Sequence, residues 1–218
     1  MFFHHSLNLI YQPLLYYVPH LPHEFQKLLQ RLPKRSVTTP PSYKHVLLLV
    51  DEFTRMKWSF PLFSKSAEDV ARVIEKWVAE EVPMISSRIV RNDPSFDRSI
   101  ENLLVELNSD DGKEFSTGGN VQAFEDNAFL TLVKQLKVAH HVSAPDQQWQ
   151  NGVVEGQVTA LKENAIISLR VAQAEVEFFP MAFALAVDNS NRLPVDFDGK
   201  LMSPYERMFG QKPEIKIL

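Results

Sequence analysis

The sequence predicts an α/β fold, a mixed β-sheet flanked by helices. Three observations predict it. The run Val46–Val50 is wholly apolar, bounded by Pro41 and Asp51 and too short for a helix, so it reads as a strand buried on both faces. Val70, Val73, Ile74, Trp77 and Val78 recur at i, i+3, i+4, i+7 and i+8, the spacing of one helical stripe. Strand-like and helix-like stretches then alternate along the chain in the order strand, strand, helix, strand, helix, strand, helix, helix, the order of a layered α/β sandwich.

Each element can be justified in turn. Met1–His23 carries no Lys, Arg, Asp or Glu, and His4, His5, Ser6, Asn8, Gln12 and Pro13 interrupt its apolar residues. It lacks the positive n-region of a signal peptide and the roughly 20 apolar residues of a membrane span. With the Pro, Ser and Thr of Gln30–Ser42 it reads as an irregular N-terminal extension and linker, residues 1–42, before a folded domain at 43–218. Lys57–Phe63 alternates and is aromatic, an antiparallel strand that Pro61 places at an edge or a bulge. Ser66 opens the striped helix, with Asp69 near a capping-box position, and Pro83 ends it. Ser86–Arg98 reads as a polar loop.

Ile100–Leu107 is the next strand, closed by the turn pair Asp111-Gly112. Beyond Gly118-Gly119, Val121–Leu136 is helical, with Phe124, Ala128, Leu132 and Leu136 spaced by four. Val138–Val142 is a short strand and Ser143–Trp149 a loop. A helix over Gly152–Ala172 turns Val154, Val158, Leu161, Ala165 and Leu169 inward, and a last helix runs from Phe179 to Asn191, ahead of Pro194.

The 218 residues suffice for one domain with extensions, and 44% hydrophobic with 23% charged residues describes a globular chain. A formal charge of −4 gives no global basic signal for nucleic acid, which leaves local Lys and Arg placement to decide. The absence of cysteine excludes disulfides and cysteine-ligated zinc within the chain and is compatible with an intracellular setting.

Two short stretches carry the chemistry, Asn108–Phe115 and Gln150–Gly156. Asp110 follows the apolar run Leu103, Leu104, Val105 and Leu107, and Glu155 falls in the first turn of the Gly152–Ala172 helix. Carboxylates brought together from separate elements can hold a divalent metal, the usual apparatus of phosphoryl transfer. Each has a plainer reading: Asp110 and Asp111 as turn residues, Glu155 as an acid complementing the helix dipole. Lys162 lies seven residues after Glu155 on the same side of the helix, with Thr159 between, on a face expected to be exposed. That face suits metal at one end and a phosphate backbone further along, or is simply solvated. His140 and His141 are consecutive on a strand and point to opposite faces, so packing suits them better than shared ligation. Asp51 ends a strand, as a metal ligand or as a strand-end polar group.

Six segments, in order, resemble the integrase catalytic core of copia-like LTR retrotransposons, relatives of retroviruses. They are Val50–Ser66, Asn108–Phe115, His140–Pro145, Gln150–Glu155, Phe178–Pro194 and Ser203–Pro213, and together they span most of Tyr43–Pro213. The resemblance implies a ribonuclease H-like fold and metal-dependent processing and joining of DNA ends. It implies catalytic and metal-binding roles for Asp110, matching the family's second aspartate, and for Glu155, matching its glutamate. It further implies a pair of Mg²⁺ (or Mn²⁺) ions, DNA contact at Lys162 with Asn151 and Thr159 on the same helix, DNA as partner, self-association and a nuclear or intracellular setting without a membrane.

The departures are specific. The family's first aspartate stands on a strand before the apolar one, in an Asp-x-x-Gly-Pro context. The region that precedes Val46 here, Leu28–Ser42, holds no acid, and counting back places Gln30 near the expected position. Asp51 matches a position the family does not use in catalysis. The interval from Asp110 to Glu155 is 155 − 110 = 45 residues, with the excess expected between Phe115 and Phe129. The family's Arg after the glutamate is Gly156, its later Trp is Phe179, and its zinc-binding N-terminal domain has no counterpart in these residues. With one carboxylate of three missing, the site is expected to bind metal weakly and to catalyse poorly. The chain thus reads as an integrase-type domain of impaired strand transfer, or as a relic that binds nucleic acid or protein without catalysis.

Overall fold

Val46–Val50 is buried throughout, and the sheet is built around it. The computed structural model describes residues 6–13, 43–92, 104, 106–109, 115, 127–142 and 148–214, and of 6–13, 90–92 and 148–155 the backbone alone. Strand β2 (His45–Asp51) pairs antiparallel with β3 (Lys57–Leu62) on one side and with β1 (Ser6–Pro13) on the other. β1 pairs in parallel with β4 (Glu106–Ser109), and β4 with β5 (Ala139–Val142), giving the order β3-β2-β1-β4-β5. The fold is therefore α/β with a mixed sheet. β3 lies at the edge, which is where its Pro61 is tolerated.

The irregular reading of residues 1–42 is corrected over Ser6–Pro13, which form the central strand. The physical reason is tertiary. A strand buried on both faces needs hydrogen-bonding neighbours on both edges, and β1 supplies the second edge of β2 while bridging to β4. The position of Gln30 lies outside the described residues.

Each face of β2 meets its own helical layer. Leu47 and Leu49 share a core with Leu107 of β4, with Val70, Ile74 and Trp77 of α1 (Ala67–Asn92), and with Phe129 and Leu132 of α2 (Ala128–Leu136). Val46, Leu48 and Val50 share the other core with Val158, Leu161, Ala165 and Leu169 of α3 (Gln148–Val171) and Phe183, Ala186 and Val187 of α4 (Phe179–Arg192). Trp58 of β3 meets Trp77 edge-on at 5.3 Å.

α1 runs through Pro83, where the sequence predicts its end. Val82, Ile85 and Ile89 continue the apolar stripe and are buried, so core packing holds the helix across a residue that removes a backbone bond to the Ala79 carbonyl. The polar loop expected from Ser86 is helical to Asn92. At its start, Ser66 Oγ accepts from the Asp69 amide at 3.1 Å, and Asp69 reaches back to the Ser64 amide at 3.2 Å. α2 starts on Asn127, whose Oδ1 accepts from the Leu130 amide at 3.0 Å, and ends on Lys137 in the left-handed region. Residues 121–126 of that predicted helix, and the Asp111-Gly112 turn, lie outside the described residues.

The chain beyond Pro194 forms a hairpin that the sequence pattern did not lead us to expect, β6 (Val195–Phe197) and β7 (Lys200–Met202), then a short helix α5 (Pro204–Phe209). Asp198 and Gly199 turn the hairpin with φ of 55° and 82°. Asp-Gly is the strongest short-range signal for such a turn. α4 is tied to the edge strand by Asn191: its Oδ1 accepts from the Lys57 amide at 3.0 Å and its Nδ2 donates to the Lys57 carbonyl at 2.7 Å.

Candidate nucleic-acid interface and metal site

Register fixes which side of the sheet each position serves. Asn8 of β1 stands opposite Asn108 of β4 in the parallel pair, and opposite Val50 of β2 in the antiparallel pair. Partners in register share a face of the sheet. Val50 shares its core with Val158 of α3, so position 8 lies on the side of the sheet that α3 covers. β4 ends at Ser109, one residue before Asp110, which itself lies outside the described residues.

Ser109 is buried, and its Oγ lies 2.9 Å from His140 Nε2. The His140 ring also meets Phe129 edge-on at 5.1 Å. Burial, then the neighbouring His141, holds His140 below the ordinary histidine pKa, which favours a neutral imidazole in this contact. His141 is exposed, 3.8 Å from Glu106. The two histidines serve opposite faces, as their adjacency on a strand requires.

Asp51 also takes a structural part. Its Oδ2 accepts from the Thr54 amide at 2.8 Å and from the Thr54 hydroxyl, and its carbonyl accepts from the Arg55 amide at 2.8 Å. This turn leads β2 into β3.

α3 begins at Gln148, earlier than the sequence predicts, so Glu155 is its eighth residue and lies about 10 Å from its start. The first turn of α3 holds no acid. Dipole complementation fades within one turn, so it does not account for Glu155. The side chains of Asn151 and Glu155 lie outside the description, and their backbones are helical.

Thr159 is exposed, as expected, but the expectation of an exposed Lys162 is corrected. Lys162 is 6% exposed, and burial lowers its pKa to about 8. The reason is angular. Val158, Leu161 and Ala165 define the buried arc, and at roughly 100° per residue position 162 falls on its margin, within about 20° of position 155. Positions 155 and 162 therefore share one flank of α3, which at Lys162 is buried. Sequence spacing fixes their shared flank but not which way that flank faces.

The acids among the described residues do not make up a two-metal centre. Asp110 and the side chain of Glu155 lie outside the description, and β1 offers only Ser, Leu, Asn, Ile, Tyr, Gln and Pro. Asn8 and Asn108 bring neutral oxygens, which leave the charge of a pair of dications poorly offset. Among the described residues no group of three or more His, Asp or Glu could hold a metal ion. Among them, too, no helix is long and apolar enough to cross a membrane.

No family model matches the chain. It is 27% identical over 177 residues to the retrovirus-related Pol polyprotein from transposon RE2 of Arabidopsis thaliana, a match covering 81% of the chain. It is 26% identical over 172 residues to the corresponding polyprotein from transposon RE1 of the same plant, covering 79% of the chain. The chain spans about a tenth of the length of these curated relatives. Its fold matches the crystal structure of the catalytic core domain of BIV integrase with a TM-score of 0.51 and 16% identity, covering 93% of this chain and 91% of that one.

Proposed function

We propose that this chain, a homologue of the retrovirus-related Pol polyproteins of copia-like transposons with the ribonuclease H-like fold of an integrase catalytic core, is a DNA-binding domain of integrase type whose strand-transfer chemistry is silent. The observation that carries this reading is Asn8. It occupies the position on β1 beside β4 and under α3 where a third carboxylate would complete Asp110 and Glu155. An asparagine there keeps size and hydrogen bonding and removes the charge that paired dications require.

DNA binding is supported by the flank that joins Glu155 to Lys162, with Thr159 exposed beside it. A phosphate at this flank would favour the charged form of Lys162, whose burial otherwise works against it. Action on DNA is compatible with a nuclear or other intracellular setting. Self-association is supported by apolar side chains left in solvent on adjoining helices, Met181 and Leu185 of α4 at 46% and 50% exposure and Ile167 of α3 at 50%.

The test is duplex binding followed by fluorescence anisotropy across a salt series, beside a joining assay with Mg²⁺ or Mn²⁺. Binding that weakens steeply with salt, falls in Lys162→Gln and yields no joined product is expected. Absence of duplex binding at low salt would refute the DNA-binding part. Metal-dependent joining by the unmodified chain, lost in Glu155→Gln, would refute the silence.

A further inference from the structure

A cleft of about 610 Å³ opens between the β2–β3 turn, α4, the β6–β7 hairpin and α5, and Gln157 of α3 is among the residues that line it. At roughly 100° per residue, Gln157 stands about 160° around α3 from Glu155. The cleft thus lies on the opposite flank of α3 from position 155.

Its charges are segregated. Three cations, Arg55, Lys57 and Arg207, line the cleft and are buried or half-buried. Lys57 is 4% exposed, with its backbone held by Asn191 and its Nζ donating to the Arg55 carbonyl at 2.9 Å and to Ser190 Oγ at 3.1 Å. Both of those acceptors are neutral. The Arg207 guanidinium lies over the rings of Phe53 and Phe197, at 4.3 and 4.1 Å from their centroids, which fixes the group without neutralising it. Among the described residues none of the three cations has an ion-pair partner. The acids of the cleft, Glu52, Asp196 and Asp198, are all exposed, and Asp196 Oδ1 already accepts from the Gly199 amide at 2.6 Å.

A buried ammonium near the Arg55 guanidinium, with no ion-pair partner among the described residues, is unfavourable unless an anion completes it. Burial, then Arg55, draws the Lys57 pKa down to about 8, the direction expected of an uncompensated cation. Gln157 adds a buried amide oxygen with no hydrogen-bond partner, and half a turn of that amide would present its NH₂ group instead. Exposed acids screen in solvent and oppose an inner anion weakly. They do disfavour a long polyphosphate, because cations and acids balance. The volume suits a nucleotide-sized body rather than a bare ion.

We propose that this cleft binds a phosphate group carried on a sugar-sized body, with Lys57, Arg55 and Arg207 supplying charge and Ser190 and Gln157 supplying neutral hydrogen bonds. The phosphate comes either from a nucleic-acid strand or from a free phosphorylated small molecule. The probe is ribose 5-phosphate, titrated into the chain and followed by phosphorus NMR line width and thermal shift, with ribose as the uncharged control. Saturable binding of ribose 5-phosphate is expected, weakened about tenfold or more in Lys57→Gln and in Arg55→Asn. Arg55 sits in the turn at φ of 62°, a conformation asparagine accepts, so that variant keeps the test alive if Lys57→Gln does not fold. A short single-stranded oligonucleotide that displaces ribose 5-phosphate assigns the site to a strand, and failure to displace it assigns the site to a free phosphorylated compound. Ribose 5-phosphate binding no tighter than ribose, or unchanged affinity in folded Arg55→Asn, would overturn the proposal.

Discussion

Asn8 and Asn108 stand opposite each other in the parallel pairing of β1 with β4, on the side of the sheet covered by α3. Both positions carry asparagine where β4 leads toward Asp110, and β1 carries no carboxylate along its whole length. Under the proposed reading this is the register position where a metal site would need an acid, and the residue there is uncharged.

Gly156 follows Glu155 within α3, where the resembled family has arginine. The residue is exposed, and a Cβ built on it meets nothing within 4 Å. Gly156→Ala should therefore stabilise the protein by about 1 kcal/mol through helix propensity alone, read as a higher urea midpoint at unchanged slope. Gly156→Arg should fold equally well and bind duplex DNA more tightly at low salt, with the gain fading as salt rises. Destabilisation by either change would mean that position 156 is packed.

Pro83 lies in the interior of α1 and is exposed, while its neighbours Val82 and Ile85 are buried. Pro83→Ala restores the missing amide donor to the Ala79 carbonyl. A gain of about 1 to 3 kcal/mol in unfolding free energy is expected, since proline costs roughly that much inside a helix. A loss of stability would show that the bend made by proline is required for Val82, Ile85 and Ile89 to reach the core.

Lys57 and Lys162 give the stability a pH dependence of defined sign. Both have folded-state pKa values of about 8, below the ordinary 10.5, so between those values the unfolded chain binds more protons than the folded one. Stability contributed by these groups is lowest below pH 8 and rises as pH climbs toward 10.5. Each lysine accounts for roughly 3 kcal/mol at full effect. Urea unfolding of the chain and of Lys57→Met across this range should give a shallower rise in the variant. Parallel curves would mean that Lys57 is not held as an uncompensated cation.

Much of the fold was legible because it is periodic. Val46–Val50 and the Val70–Val78 stripe declared a doubly buried strand and an amphipathic helix, and the structure contains both. β1 was not legible. Ser6–Pro13 alternates weakly, and its strand character comes from β2 and β4, which lie far away in sequence. Pro83 misled for the same reason, since a local rule yielded to the burial of Val82, Ile85 and Ile89. The β6–β7 hairpin could have been found, because Asp198-Gly199 is a strong local turn signal. At the site, spacing paired Glu155 with Lys162, yet only the packed helix revealed that Lys162 is buried. The cleft gathers Arg55 and Lys57, Gln157, and Arg207 from three separate segments, a coincidence that no one-dimensional pattern records.

The most direct measurement is metal-dependent joining of DNA ends by Asn8→Asp, compared with the unmodified chain and with Asn8→Asp combined with Glu155→Gln. Mn²⁺-induced thermal stabilisation is followed in parallel. The account predicts no joining by the unmodified chain, and both Mn²⁺ stabilisation and joined product in Asn8→Asp, abolished when Glu155 is replaced. Glu155-dependent joining by the unmodified chain would contradict it, as would a folded Asn8→Asp that gains neither metal binding nor product.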